Sequence, residues 1–71
     1  MMKSADTIYS DLLGVLRQNG IHISGAADSL VRAVARDFYR GGIDTEAALA
    51  SLDKKFRPGR EIMKELEKIF P

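Results

Sequence analysis

The sequence predicts an all-α protein, a compact four-helix small domain of orthogonal or bundle-like packing. Apolar residues recur at three- and four-residue spacing nearly throughout, and no alternating stretch of useful strand length interrupts them. Helix-stopping signals divide the chain at Asn19-Gly20, Gly41-Gly42 and Pro58. The length of 71 residues allows one domain, 1–71, near the lower limit for a core without disulfides or metals.

Helix 1 is expected over about 5–18. Ser4 is placed to cap it, Asp6 suits the positive end of its dipole, and Gly20 after Asn19 supplies the left-handed stop. Ile8, Tyr9, Leu12, Leu13, Val15 and Leu16 sweep an arc of roughly 160° at the helical turn angle. An arc that wide serves a central helix or one shared with a partner. Helix 2 is expected over 25–40, with Ser24 as its cap. Its core stripe is Ala27, Leu30, Val31, Val34 and Phe38, and Arg32, Arg36 and Arg40 fall opposite.

Helix 3 is expected over 45–56 behind an Asp44 or Thr45 start, presenting Ala48, Leu49, Leu52 and Phe56 to the core. Helix 4 is expected over 59–70. Pro58 stands at its first turn, where a missing N–H goes unnoticed, and Ile62, Met63, Leu66, Ile69 and Phe70 form its buried stripe. Short connections make successive helices near neighbours.

The double glycine reads as a corner. Gly41 takes the position after helix 2 that wants a positive φ, Gly42 loosens the reversal, and Ile43 packs before the Asp44 cap. A hinge between the two helices and a phosphate cradle are the competing readings, the cradle the weaker. Asp44 and Glu46 oppose the cradle with negative charge at the same helix start, and no Gly-Lys-Ser/Thr loop accompanies the glycines.

The stretch "FYRGGIDTEAALASLDKKF" resembles the helix–glycine–helix segment of several small bacterial proteins, Fic-toxin antitoxins and short oligomerisation modules among them. The antitoxin inhibitory motif, Ser or Thr followed four residues later by Glu and then Gly or Asn, does not occur in the chain. The resemblance therefore implies a helical hairpin and no inhibitory role. "LLGVLRQNGIHISGAADSL" is similar to the opening of some synthase docking domains, which turn to strand after the glycine where this sequence continues as helix.

Catalytic chemistry has few residues to draw on, and an enzyme is not expected. His22 is the single histidine and lies in a loop, so a solvated or locally bonded side chain is the expectation. There is no cysteine, which excludes thiolate metal sites and disulfides and makes a cytoplasmic location the natural expectation. No metal site, cofactor or small-molecule substrate is expected. Glu61 and Glu65 share a face of helix 4, but Lys64 and Lys68 stand alongside, which predicts an ion-paired solvent face. The opening "MMKSADTIYSD" places Asp6 and Asp11 before any apolar run, so no signal peptide is expected. No run approaches the ~20 apolar residues of a membrane span, and a membrane partner is not expected.

The net charge of +1 names no partner, but its distribution is uneven. Residues 32–40 carry a net +2 and residues 53–60, "DKKFRPGR", a net +3. The expected function is that of a small regulatory or adaptor protein acting through protein–protein contacts, with another protein or a second copy as partner. Tyr and Arg are favoured interface anchors, so Tyr9, Leu13, Arg32, Arg36, Tyr39 and Arg40 are the candidate interface. The alternative is a helix-turn-helix-like nucleic-acid-binding regulator using Arg32, Arg36, Arg40, Lys54, Lys55, Arg57 and Arg60 against phosphates. Glu61, Glu65 and Glu67 on the would-be recognition helix oppose that alternative by repulsion.

Overall fold

Caps and apolar spacing locate the helices before packing is considered. The computed structural model describes residues 3–71, with α1 at Ala5–Gln18, α2 at Ala26–Tyr39, α3 at Thr45–Phe56 and α4 at Arg60–Glu67. The described chain is an all-α four-helix domain, as the sequence predicts. Its radius of gyration, 10.8 Å, matches the ~11 Å of a folded chain this long.

α1 begins as expected, with the Ser4 Oγ accepting from the Thr7 N–H at 3.2 Å. It ends in a Schellman motif: the Gly20 N–H donates to the Arg17 carbonyl and the Ile21 N–H to Leu16, both at 3.0 Å. The same motif closes α2. Gly41, at φ +80°, donates to Phe38 at 3.0 Å, and Gly42 donates to Asp37 at 2.8 Å. α3 opens on Asp44, whose Oδ1 accepts from the Ala47 N–H at 2.8 Å.

Two starts differ from expectation. The residue capping α2 is Gly25, at φ +53°, and Ser24 contributes only its carbonyl, which accepts from the Ala27 N–H at 3.1 Å. The Ser24 hydroxyl is turned to His22 instead. α4 starts at Arg60, two residues beyond Pro58, because Gly59 takes φ +99° and ψ +165°, far outside helical geometry. Proline also disfavours the α region for the residue before it, so α3 cannot run through Arg57, which adopts a left-handed φ of +44°. α4 ends at Glu67, short of the expected 70, and its last turn tightens through Ile69 N–H to Leu66 and Phe70 N–H to Glu67 bonds. That tightening turns Ile69 and Phe70 inward.

The four helices form a closed cycle, in which α1 packs on α2 and α4, and α3 packs on the same two. α1 with α2 is the most extensive pairing. Ile8, Leu12 and Leu16 of α1 have no exposed surface and form the spine, against Val31, Val34 and Ala35 of α2, Ala48 and Leu52 of α3, and Leu66. Ile23 plugs one end from the α1–α2 loop, held by the Arg17 Nη2 donating to its carbonyl at 3.4 Å. Phe38 and Phe70 meet edge to face at 4.9 Å, joining α2 to the C-terminal turn. The wide arc of α1 is thus divided between two neighbours within the domain. Tyr9, Leu13 and Val15 are half-buried at its edges.

Candidate functional site

α1 and α2 pack on each other through a short loop, and the second turn of α1, with Tyr9, stands beside the first two turns of α2, with Asp28 and Arg32. Their seam carries a side-chain cluster joined by a hydrogen bond, an ion pair and a cation–π contact. The Tyr9 hydroxyl donates to Asp28 Oδ1, and Arg32 Nε donates to Asp28 Oδ2 at 3.2 Å. The Arg32 guanidinium carbon stands 4.2 Å from the centre of the Tyr9 ring, a cation–π contact. Asp28 thus receives both groups while the arginine covers the ring. All three side chains keep contact with water.

The electrostatics follow from these bonds. The Tyr9 hydrogen bond, more than the nearby Arg32, holds the Asp28 carboxyl below the usual carboxylate range against some desolvation. The same bond raises the Tyr9 phenol, with desolvation adding to it. Hydrogen bonding to Asp28 raises the Arg32 guanidinium as well. A hollow of about 220 Å³ opens beside the cluster, lined by Ala5, Asp6, Tyr9, Arg32 and Arg36.

Three of the six candidate interface residues meet at this seam, and a fourth lies one turn further along α2. Tyr9, Arg32 and Arg36 line the hollow, and Tyr39 follows Arg36 by three residues on the same side of α2. Tyr39 is the exposed large hydrophobic side chain among the described residues, with 46% of its surface open. Leu13 is half-buried against the core. Arg40 caps α2 at the glycine corner, exposed. The sequence does not mark Asp28, because its partner Tyr9 lies 19 residues away; the i, i+4 spacing to Arg32 is its local signal.

The arginines expected to form an outward stripe are therefore not equivalent. Arg32 is engaged by Tyr9 and Asp28, and Arg36 lies 3.6 Å from Asp37. Lys54, Lys55, Arg57 and Arg60 are exposed at the α3–α4 corner, and among the described residues none has an acidic partner within 4.0 Å. The face of α4 departs from expectation in a similar way. Glu61, Lys64, Glu65 and Lys68 are all exposed, but among the described residues no ion pair joins them.

The glycine corner spends both of its amides internally, on Phe38 and Asp37, so neither points at an anion. His22 Nε2 lies 3.0 Å from the Ser24 Oγ. Both side chains are exposed and two residues apart, neither lines the hollow beside Tyr9, and a general base needs an orienting third group that this pair is not given. Among the described residues no group of acids and histidine is placed to hold a metal ion, and no helix is long and apolar enough to cross a membrane. No protein family, curated protein or solved structure matches this chain.

Proposed function

We propose that the chain is a small non-enzymatic recognition module, a regulatory or adaptor protein that acts through protein–protein contacts along the ridge Tyr9–Arg32–Arg36–Tyr39. The observation that carries this is the combination of an open Tyr39 with an arginine–tyrosine pair already held in place by Asp28. Tyrosine and arginine are the side chains that most often dominate interface energies. Ordering long side chains is a substantial cost of association, and holding Arg32 in one geometry before contact reduces it. The hollow between α1 and α2 gives an incoming side chain a concave seat beside them.

The test is affinity capture from the source cell with tagged wild type, Tyr39→Ala and Arg36→Ala. The expected result is a protein partner retained at moderate salt by wild type and lost about tenfold or more in Tyr39→Ala, the size of an interface anchor. Sedimentation of the pure chain across a concentration series tells a second copy from a different partner. Retention of nucleic acid instead, falling steeply with salt and flattened by Lys54→Gln with Lys55→Gln, overturns the reading in favour of phosphate binding.

A further inference from the structure

A second hollow, of about 330 Å³, lies at the surface seam of α2 and α3, lined by Leu30, Ser51, Lys54 and Lys55. It is separate from the tyrosine–arginine ridge and shares no residue with it. Leu30 and Ser51 are half-buried and make the floor, while Lys54 and Lys55 are exposed and make the rim. Arg57 and Arg60 extend the positive charge along the α3–α4 connection. Asp53 and Glu61 are the nearest acids in the chain, and neither comes within 4.0 Å of a cation here. Positive charge without an internal partner beside an apolar floor asks for an occupant bearing the opposite charge and an aliphatic side chain.

We propose that this hollow binds an acidic segment of a partner protein, seating one leucine- or isoleucine-sized side chain over Leu30. The segment's carboxylates pair with Lys54 and Lys55, and flanking acids reach Arg57 and Arg60. The apolar floor gives the selectivity, because removing one aliphatic side chain from water stabilises the complex in a way that a phosphate cannot reproduce. A nucleic acid is a poorer occupant. Its backbone needs a continuous cationic track, and the exposed Glu61, Glu65 and Glu67 of α4 interrupt one beyond Arg60. Exposed lysines give up little hydration on pairing, so the contact is fast, modest in affinity and sensitive to salt.

Fluorescence anisotropy on the whole chain tests this with a labelled short synthetic peptide of glutamates flanking two leucines. Its leucine-to-serine counterpart and a single-stranded DNA oligonucleotide are the competing probes. The glutamate–leucine peptide is expected to bind with a dissociation constant of roughly tens of micromolar, about tenfold tighter than the serine version. Lys54→Glu with Lys55→Glu is expected to abolish binding, Leu30→Ser to weaken it about fivefold, and Lys64→Glu on α4 to leave it unchanged, with thermal melts confirming each fold. Equal binding of both peptides would mean counterion attraction alone and overturns the proposal, as does tighter binding of the DNA or no binding of any probe. Tyr39→Ala leaves this assay unchanged, so its outcome is independent of the ridge.

Discussion

The α1–α2 pair and the α3–α4 corner use similar residues to different ends. On α2, Arg32 is tied to Asp28 and lies over the Tyr9 ring, and Arg36 leans on Asp37. At the α3–α4 corner, Lys54, Lys55, Arg57 and Arg60 project from the surface without such partners among the described residues. The two regions also differ in backbone. α2 stops on a glycine in the left-handed region, whereas α3 stops on Arg57, a residue with a Cβ, at φ +44°. α1 and α2 are 14 residues each, while α4 has eight. One half of the domain therefore holds Arg32 and Arg36 against acids of its own helix, and the other presents cations unpaired among the described residues, beside a shorter helix and a left-handed Arg57. A positive residue becomes structural when an acid and an aromatic ring come within bonding distance, as at Arg32, and stays available where the neighbouring acids, Asp53 and Glu61, remain beyond 4.0 Å.

The largest expected effect breaks the scaffold half. Leu12 has no exposed surface and sits in the middle of the α1 spine, so Leu12→Ala is expected to cost about 2–5 kcal/mol, read from urea unfolding. A loss under about 1 kcal/mol would show that α1 is not the centre of the fold.

A smaller effect sharpens the contrast between the two helix stops. Gly41→Ala forces a Cβ into the left-handed region and is expected to cost about 1–2 kcal/mol, whereas Arg57→Gly relieves the same strain and is expected to gain up to about 1 kcal/mol. Gly42 is the internal control. Its φ is not positive, and an added Cβ meets nothing nearer than the Asp37 carbonyl oxygen at 3.5 Å, so Gly42→Ala is expected to be nearly neutral.

The smallest effect concerns the fixed charge itself. Asp28 titrates below its unfolded value, so its contribution is present above the usual carboxylate range and is lost as pH falls through the lower folded value. Tyr9 is raised, so its contribution is present below the unfolded phenol value and is lost as pH rises through the folded one. Asp28→Asn is expected to flatten the acid limb of a stability–pH curve, and thermal melts from acid to neutral pH check it. An unchanged acid limb would mean that Asp28 does not hold Arg32 and Tyr9 together in solution.

Much of this architecture is legible along the chain because its signals are local. Ser4 and Asp44 accept hydrogen bonds from amides three residues on, and Gly20 and Gly41 close their own helices, so nearest neighbours carry the information. The core stripes read correctly for the same reason, though Ala35 was too small to stand out and is nearly fully buried. Ser24 misled because its hydroxyl has two local partners to choose from, and the loop geometry selects His22 over a cap. Pro58 misled because Gly59 intervenes with a backbone angle that proline alone does not announce.

The site divides along the same line. Tyrosine and arginine content marks Tyr9, Arg32, Arg36 and Tyr39 as candidates, but composition does not distinguish an arginine bound to its own chain from one free for a partner. By itself the sequence determined the helical class, the number of elements, most of their ends and the face each one buries, because spacing, capping and backbone freedom act within a few residues. Only the tertiary structure decided that the α1–α2 seam pairs Tyr9 with residues 19 and 23 positions away, that α1 shares its wide face between α2 and α4, and which cations remain free. The reason is physical: an ion pair or a stacked ring requires atoms within a few ångströms, and for distant residues that closeness exists only after the core has set how the helices cross.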